Sequence, residues 1–356
     1  SELKKIIKIL GEMAYDEFDA FDDMPLRTWL LKHTSSESVI ALFEYLAVLE
    51  CMTEEWYEHS ASDNLFVRKM HYDEKRMAGY SFWPEGGWDG LFEGLKQNFE
   101  QNGGTVWTNC PVDSVNIRNG QVEGVSVFKK QPELPGEIPD KEYIETDCVI
   151  CSAPIWNVLD IIDENSIPKW YAEGIRYLSQ EKFKMCWLGY YIASEEPIYA
   201  LDQMETCTWE SAPNSKLGGF AFLNSALDPS LAPEGYHLWV CGASFVGMRD
   251  KKWLDQKIME FEKDLDVMFP DMHKKGILWK KRHLVGNPPF GLVQMPGLVG
   301  QYRPAPAVPG VEGLFFAGDT FRSRGIGVYR AARSGVTAAE LALGSRIAAL
   351  KDTWRY

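Results

Sequence analysis

Residues Gly313 to Gly335 read GLFFAGDTFRSRGIGVYRAARSG. Leu314 to Ala317 form a short apolar run of strand character, Gly318 and Asp319 make a glycine turn with one acid, and a helix is expected to open near Gly327. Glycine at 318 lets the backbone approach a ligand closely, and Asp319 offers a carboxylate to hydroxyl groups. The helix start aims unsatisfied N–H groups and a positive dipole end at whatever lies in front of it. Ala331, Ala332 and Gly335 lie along one side of that helix, where small residues permit close packing on a sheet or a flat cofactor. Alone, the same string also fits an ordinary strand-to-helix connection, so its meaning depends on the rest of the chain.

The chain has 356 residues, 45% of them hydrophobic, enough for two domains or one elaborate one around a large core. A net charge of -14 argues against nucleic acid and anionic lipid as partners, because phosphate is repelled on average. No apolar run reaches the roughly 18 residues of a membrane span, and the stretch SELKKIIKILGEMAYDEFDAF is amphipathic and acid-containing; a cytoplasmic protein is expected. Cys148 and Cys151 have C-x-x-C spacing but sit in TDCVICSAP, a strand-like run in which positions three apart point to opposite faces, so packing is expected rather than redox or metal chemistry. The six histidines are scattered, and no metal is expected.

Residues 1 to about 75 read as helical, with Leu3, Ile6, Ile7, Leu10 and Met13 on one stripe and Thr34 and Glu37 at capping-box spacing. From residue 82 the pattern changes. A glycine pair precedes a helix expected to bury Leu91, Leu95 and Phe99, which Gly103 and Gly104 should stop. Strands follow, with Asn119-Gly120 as the hairpin turn, and TDCVICSAP re-enters the core. Between 155 and about 290, aromatic-rich strands such as FKMCWLGYYIA and YHLWVCGASFV accompany an amphipathic helix that ends before Pro270.

Four strings occur in one fixed order: P-x-G-G at Pro84 to Gly87, V-x-S-V-x-I-x-x-G-x-V-x-G-V from Val112, D-x-V-I-x-S-A-P from Asp147, and G-L-F-F-A-G-D with its small-residue helix. Together they resemble the flavin-dependent superfamily of amine oxidases, protoporphyrinogen oxidases and phytoene desaturases, over roughly residues 80 to 343. The resemblance implies an α/β protein. Its FAD-binding, Rossmann-like domain would be discontinuous, at 82–154 and 286–343. An α+β substrate domain of mixed sheet and helices would span 1–81 and 155–285, with a tail at 344–356. It further implies that Val112 contacts the adenine of FAD through its backbone, with Ala153 and Pro154 bordering it. Asp319 would hold the ribityl chain, with the Gly318 and Asp319 amides near the pyrophosphate. Gly327 and Val328 would lie under the pyrimidine edge of the ring, where a helix N-terminus stabilises charge developing on hydride transfer to N5.

Members of this superfamily begin with a strand, G-x-G-x-x-G and a helix, a unit that these 356 residues do not contain; the nearest string, GIGVYR at Gly325, has Arg330 at the last glycine position. Measured against the family, Ser1 corresponds to a position about one Rossmann half into a full-length member. Three explanations are open: a second polypeptide that shares the FAD, removal by processing or cloning, or a flavin-free relative that binds a ligand or partner. The first is preferred. The reaction implied is dehydrogenation of a substrate C–H. Where amine oxidases carry an aromatic cage residue this chain has Gly327, which favours the desaturase and porphyrinogen-oxidase branch over an amine or amino-acid oxidase. The aromatics of 160 to 285 are then either core or the wall of a wide apolar pocket. Arg322 and Arg324 either receive an anionic group, such as a substrate carboxylate, or form ion pairs at the surface, and Tyr329 either nears the flavin or fills the helix face. No catalytic acid or base is assigned; Lys280, Lys281 and His283 read as an exposed edge strand.

Overall fold

The computed structural model describes residues 2–51, 58–75, 84, 86–130, 139–199, 206–247, 249–286 and 288–348. Its first unit is helical: α1 (Glu2–Glu12), α2 (Leu26–His33), α3 (Glu37–Cys51) and α4 (Ala61–Asp73). Ile6 and Leu10 of the predicted stripe are buried with Phe18, Trp29, Leu30, Phe43 and Phe66, whereas Ile7 marks the stripe's exposed edge. Helix α4 is buried on every side from Ala61 to Met70, although Asp63, Asn64, Arg68 and Lys69 lie within it. A polar helix can occupy that position only if its charges meet partners there. The capping box expected at Thr34 does not form. Thr34 ends α2 and accepts a hydrogen bond from the Ser36 amide (3.1 Å), and Ser36 supplies the carbonyl for the first turn of α3.

The second unit starts with α5 (Gly87–Gln101). The Gly86 amide donates to Asp228 (2.7 Å), and Gly103 and Gly104 close the helix on the Glu100 and Phe99 carbonyls. The expected burial of Leu91, Leu95 and Phe99 is not observed: they are 41%, 60% and 53% exposed, because no described element crosses that face. Strands β1 (Val112–Arg118) and β2 (Gln121–Phe128) meet at the Asn119-Gly120 turn, where both residues take positive φ (51° and 77°) as that hairpin requires. Strand β3 (Lys141–Glu145) adds to β2, and β4 (Val149–Cys151) follows. Cys148 is exposed and Cys151 buried, the opposite-face arrangement read from the sequence.

Next come α6 (Ile155–Ile161), α7 (Lys169–Leu178) and β5 (Lys184–Ser194). The chain continues through β6 (Thr206–Trp209), β7 (Gly219–Phe222), α8 (Asn224–Leu227), β8 (His237–Val246), α9 (Lys251–Met268), β9 (Ile277–Val285) and β10 (Gly291–Leu292). An antiparallel sheet runs β10-β5-β8-β7-β6, with β9 as a further partner of β5. Strand β9 is an edge, as its lysines suggested. The aromatic strands fill their own core rather than a pocket wall: Tyr190 stacks on Phe261 of α9, Trp239 meets Phe269 and Phe245 meets Trp253. Strand β11 (Leu314–Phe316) and α10 (Gly327–Leu343) complete the chain's order. Ile155, Val158, Tyr171 and Ile175 share one core with Cys151, Leu314 and Phe316 and with Met185 of β5 and Leu292 of β10, so α6 and α7 pack against the cofactor-side strands and the near end of the large sheet alike.

Glu44 of α3 pairs with Glu210, just after β6, and so joins the helical unit to the large sheet. Burial, and then the hydrogen bond and charge of Glu210, push the Glu44 carboxyl up to about 7, against the opposing pull of Arg27. The folded value lies above the ordinary 4.5, so the fold retains a proton that the unfolded chain releases between pH 4.5 and about 7. The pair's contribution to stability is therefore present at the acid end of this window and lost as pH rises through it. Glu44→Gln is expected to flatten the change in denaturation midpoint between pH 4.5 and 7. An unaltered wild-type slope in the variant would show that the pair does not set it.

Candidate cofactor site

Strands β4 and β11 pair in parallel, Leu314 beside Val149 and Phe316 beside Cys151. Their C-terminal ends deliver Ser152-Ala153-Pro154 and Ala317-Gly318-Asp319 to the same edge, the position at which parallel sheets hold ligands. Gly318 sits at φ 116°, which favours glycine, and a Cβ there would touch the Ser152 carbonyl at 3.7 Å. Its amide does not point outward toward a pyrophosphate, as expected. It donates instead to Ser334 Oγ (2.7 Å), which in turn donates to the Ala331 carbonyl (2.7 Å), and this fixes α10 against the turn. The Ile155 amide donates to Thr320 Oγ1 (3.1 Å) and ties the β4 end to the β11 end.

The predicted cofactor residues divide between two clefts. One, of about 380 Å³, brings Asp319, Gly327 and Val328 together with Gly291, Leu292 and Gln294. Asp319 is half-buried at its wall, and Gly291 leaves room beside the carboxylate, since a Cβ there would stand 3.6 Å from Oδ2. Helix α10 opens into this cleft with Gly327 at φ 55° and Val328 55% exposed. The other cleft, of about 480 Å³, is lined by Val112, Ile150 and Ala153, with Pro154 capping α6 beside it. Gln294 was not singled out in the sequence, because an isolated glutamine carries no pattern. It is 7% exposed, its Nε2 donates to the Leu292 carbonyl (3.1 Å), and its Oε1 has no hydrogen-bond partner.

The arginines and Tyr329 behave differently from the functional expectation. Arg324 is 5% exposed and donates to Asp22 Oδ1 (2.6 Å) and Oδ2 (3.0 Å) and to Asp19. Burial alone would lower its pKa, but Asp22 and Asp63 raise it, so the cation is held within the protein and is not offered to a ligand. Arg330 is fully buried against Asp63, whose other oxygen accepts from the Gly325 amide (3.1 Å). Arg322 donates to the backbone carbonyls of Arg303 (3.2 Å) and Gln301 (2.8 Å). Tyr329 turns to the helical unit's core and accepts from Arg333 (3.1 Å).

A parallel strand pair ending in a glycine turn, a carboxylate and a helix N-terminus is an arrangement suited to a nucleotide cofactor. The sequence model of flavin containing amine oxidoreductases matches residues 5–343, so the chain belongs to that family. It is an FAD-dependent oxidoreductase. No curated protein matches it by sequence. Among solved structures it is similar to an oxidoreductase from Methanosarcina mazei (TM-score 0.64, 18% identity, 89% of this chain and 68% of that one). It is also similar to a redesigned putrescine oxidase (0.57, 14%, 97% and 75%) and to reduced UDP-galactopyranose mutase (0.55, 12%, 93% and 70%). At such identities the likeness defines the fold. The residues present fit the cofactor: an acid for hydroxyls at 319, a helix start without a side chain at 327, and an apolar wall for the ring.

Two outcomes follow from this geometry. Asp319→Ala should weaken FAD binding by roughly tenfold or more, since a charged hydrogen bond is worth about 1.5–3 kcal/mol, with little change in thermal midpoint; flavin fluorescence titration of apoprotein reads it. Asp63→Ala strands the buried guanidinium of Arg330, while Arg324 keeps Asp22 and Asp19, and should destabilise the fold by about 3–5 kcal/mol in denaturant titration. Lys280→Ala, which breaks an exposed pair with Glu262 (3.5 Å), should change stability by no more than about 1 kcal/mol.

Proposed function

We propose that the protein is a dehydrogenase of the desaturase type, acting on an apolar substrate at the cleft between Asp319 and β10. The observation that carries this reading is the composition of that cleft. Met185, Phe290, Leu292, Ile326 and Val328 line it, and among the described residues no lysine or histidine does. Bound FAD supplies a hydride acceptor at N5. The chain's own part is to grip hydroxyls through Asp319, to present the α10 N-terminus to developing negative charge, and to exclude water with the apolar wall. By the family resemblance Gly327 falls where amine oxidases carry an aromatic cage residue, which supports the desaturase reading over amine oxidation.

The nucleotide end of the cofactor is, in the same proposal, gripped by a dinucleotide-binding unit on a second polypeptide. Support comes from the cleft of Val112 and Ala153 and from the exposed apolar face of α5, where Trp88, Phe92, Leu95 and Phe99 are each 47–60% exposed. Ile150, on β4 itself, is 43% exposed. Exposed apolar faces on a helix and on a parallel strand are the kind of surface that a docked neighbour covers.

Native material is expected to show a flavin band near 450 nm and a second protein band that co-purifies with it, and an apolar substrate should bleach the flavin anaerobically where simple amines do not. Colourless native protein, or bleaching by amines alone, would overturn the reading.

A further inference from the structure

Strand β5 has two sides. Leu188, Tyr190 and Ile192 are buried in the core that α9 covers. Met185, Trp187, Gly189, Tyr191 and Ala193 alternate with them and face the other way. That second side starts at the cleft of Asp319: a Cβ on Gly291, the partner of Met185, would stand 3.6 Å from Asp319 Oδ2 and 4.0 Å from Met185 Sδ. The register of β5 on β8 is continuous from Met185 to Ser194, so the side that leaves the cleft at Met185 is the one that Tyr191 faces. Exposure rises along it. Met185 and Trp187 are 5% and 7% exposed, Tyr191 is half-buried, and Trp279, beside Ala193, is exposed. A Cβ on Gly189 or Gly242 would collide with the Trp187 indole, so these two glycines seat the indole flat against the sheet.

Strand β9 supplies the rim. His283 is the partner of Gly189 and Lys281 the partner of Tyr191, and directly opposite residues share a face, so both stand on the Asp319 side. The Tyr191 and His283 rings meet at 5.2 Å, as that placement requires. Lys280 and Arg282 belong to the other side, where Lys280 pairs with Glu262 of α9 (3.5 Å) and lies over the Tyr190 ring. Lys281 is exposed and has no hydrogen-bond or ion-pair partner among the described residues, in a chain of net charge -14. An unpaired surface lysine is ordinary by itself. This one stands, with His283, over the strand side that runs without a break into the apolar cleft.

We infer that the substrate is an elongated apolar molecule with an anionic group at its far end. Its body lies along the Met185–Tyr191 side of β5, and its anion meets Lys281 and His283. This rests on the assignment of the Asp319 cleft as the place of reaction. His283 stands four strand positions from Met185, about 13 Å, and Lys281 six, about 20 Å, so neither takes part in the redox step. Their part is depth. An apolar body alone can slide along an apolar floor, whereas a charge held at the rim fixes how far the molecule enters and which C–H stands in the cleft. The same ammonium repels an amine end.

The test uses the flavin-bearing native assembly and two probes of one chain length, dodecanoate and dodecan-1-ol, each titrated against the long-wavelength flavin band. A shift of that band marks a chain that has reached the cleft. Wild type should bind dodecanoate more tightly than the alcohol by roughly fivefold or more, the scale of an exposed charge pair joined by a half-buried donor. Lys281→Gln should remove most of the preference and His283→Gln should reduce it, while Lys280→Gln, on the α9 side, should keep it. The wild-type arm needs no substitution and stands even where a variant folds poorly. Equal affinity of wild type for the two probes, a preference that survives in Lys281→Gln, or an equal loss in Lys280→Gln overturns this inference alone. Native protein without flavin, or a band that neither probe shifts, overturns the assignment of the cleft and this inference together.

Discussion

Asp63 holds the site together. It lies in the middle of a helix buried on every side, receives Arg330 on one oxygen and the Gly325 amide on the other, and is within 3.7 Å of Arg324. Around it Asp22, fully buried, accepts from Arg324 and from the Gln301 amide (2.9 Å). Removing any one partner strands a charge without water, so the set is held as a unit even though forming it cost desolvation. The loop from 319 to 327 is anchored in apolar cores by Phe321, stacked on Phe316, and by Ile326. Its shape is imposed by helices nearly three hundred residues earlier in the chain.

This explains why the arginines of an otherwise acidic protein cluster after the glycine turn. Arg303, Arg324, Arg330 and Arg333 are all buried, and the acids nearest them are Asp19, Asp22, Asp63 and Asp319. Arg303 donates to the Asp319 carbonyl and lies within electrostatic reach of its carboxylate. Asp319 therefore belongs to two systems: its main chain to the clamp, and its side chain to the cleft. Shifting the clamp would move the carboxylate, which is how helices that never touch the cleft can still govern it.

Much of this was legible in the sequence wherever the signal is local. The Asn119-Gly120 hairpin, the strand-turn-helix around Gly318 and the opposite faces of Cys148 and Cys151 depend on neighbours a few positions away, and each took the form its residues dictate. Arg324 could not be read, because its partners Asp19 and Asp22 are some three hundred positions distant and nothing in the string Arg-Ser-Arg distinguishes a ligand-binding arginine from a clamp. Leu91, Leu95 and Phe99 show a second kind of miss. Periodicity establishes that a helix has an apolar face, but it does not identify what that face meets.

One cleft is built on β4 itself, and the other lies past the end of β11, at Asp319 and the start of α10. Val149 and Ile150 of β4 look into the cleft of Val112, while the continuation through Ser152 meets Gly318 and the turn that carries Asp319. A ligand long enough to occupy both must cross the β4 and β11 ends, where Gly318 has no side chain and its amide is already engaged by Ser334. The middle of such a ligand thus gains steric room from these residues but no hydrogen bond from the Gly318 amide. A pyrophosphate placed there needs donors from another surface, as a glycine-rich turn at a helix N-terminus provides. The cleft of Asp319 and the cleft of Val112 are thus joined across a seam that offers room and no main-chain donor at Gly318.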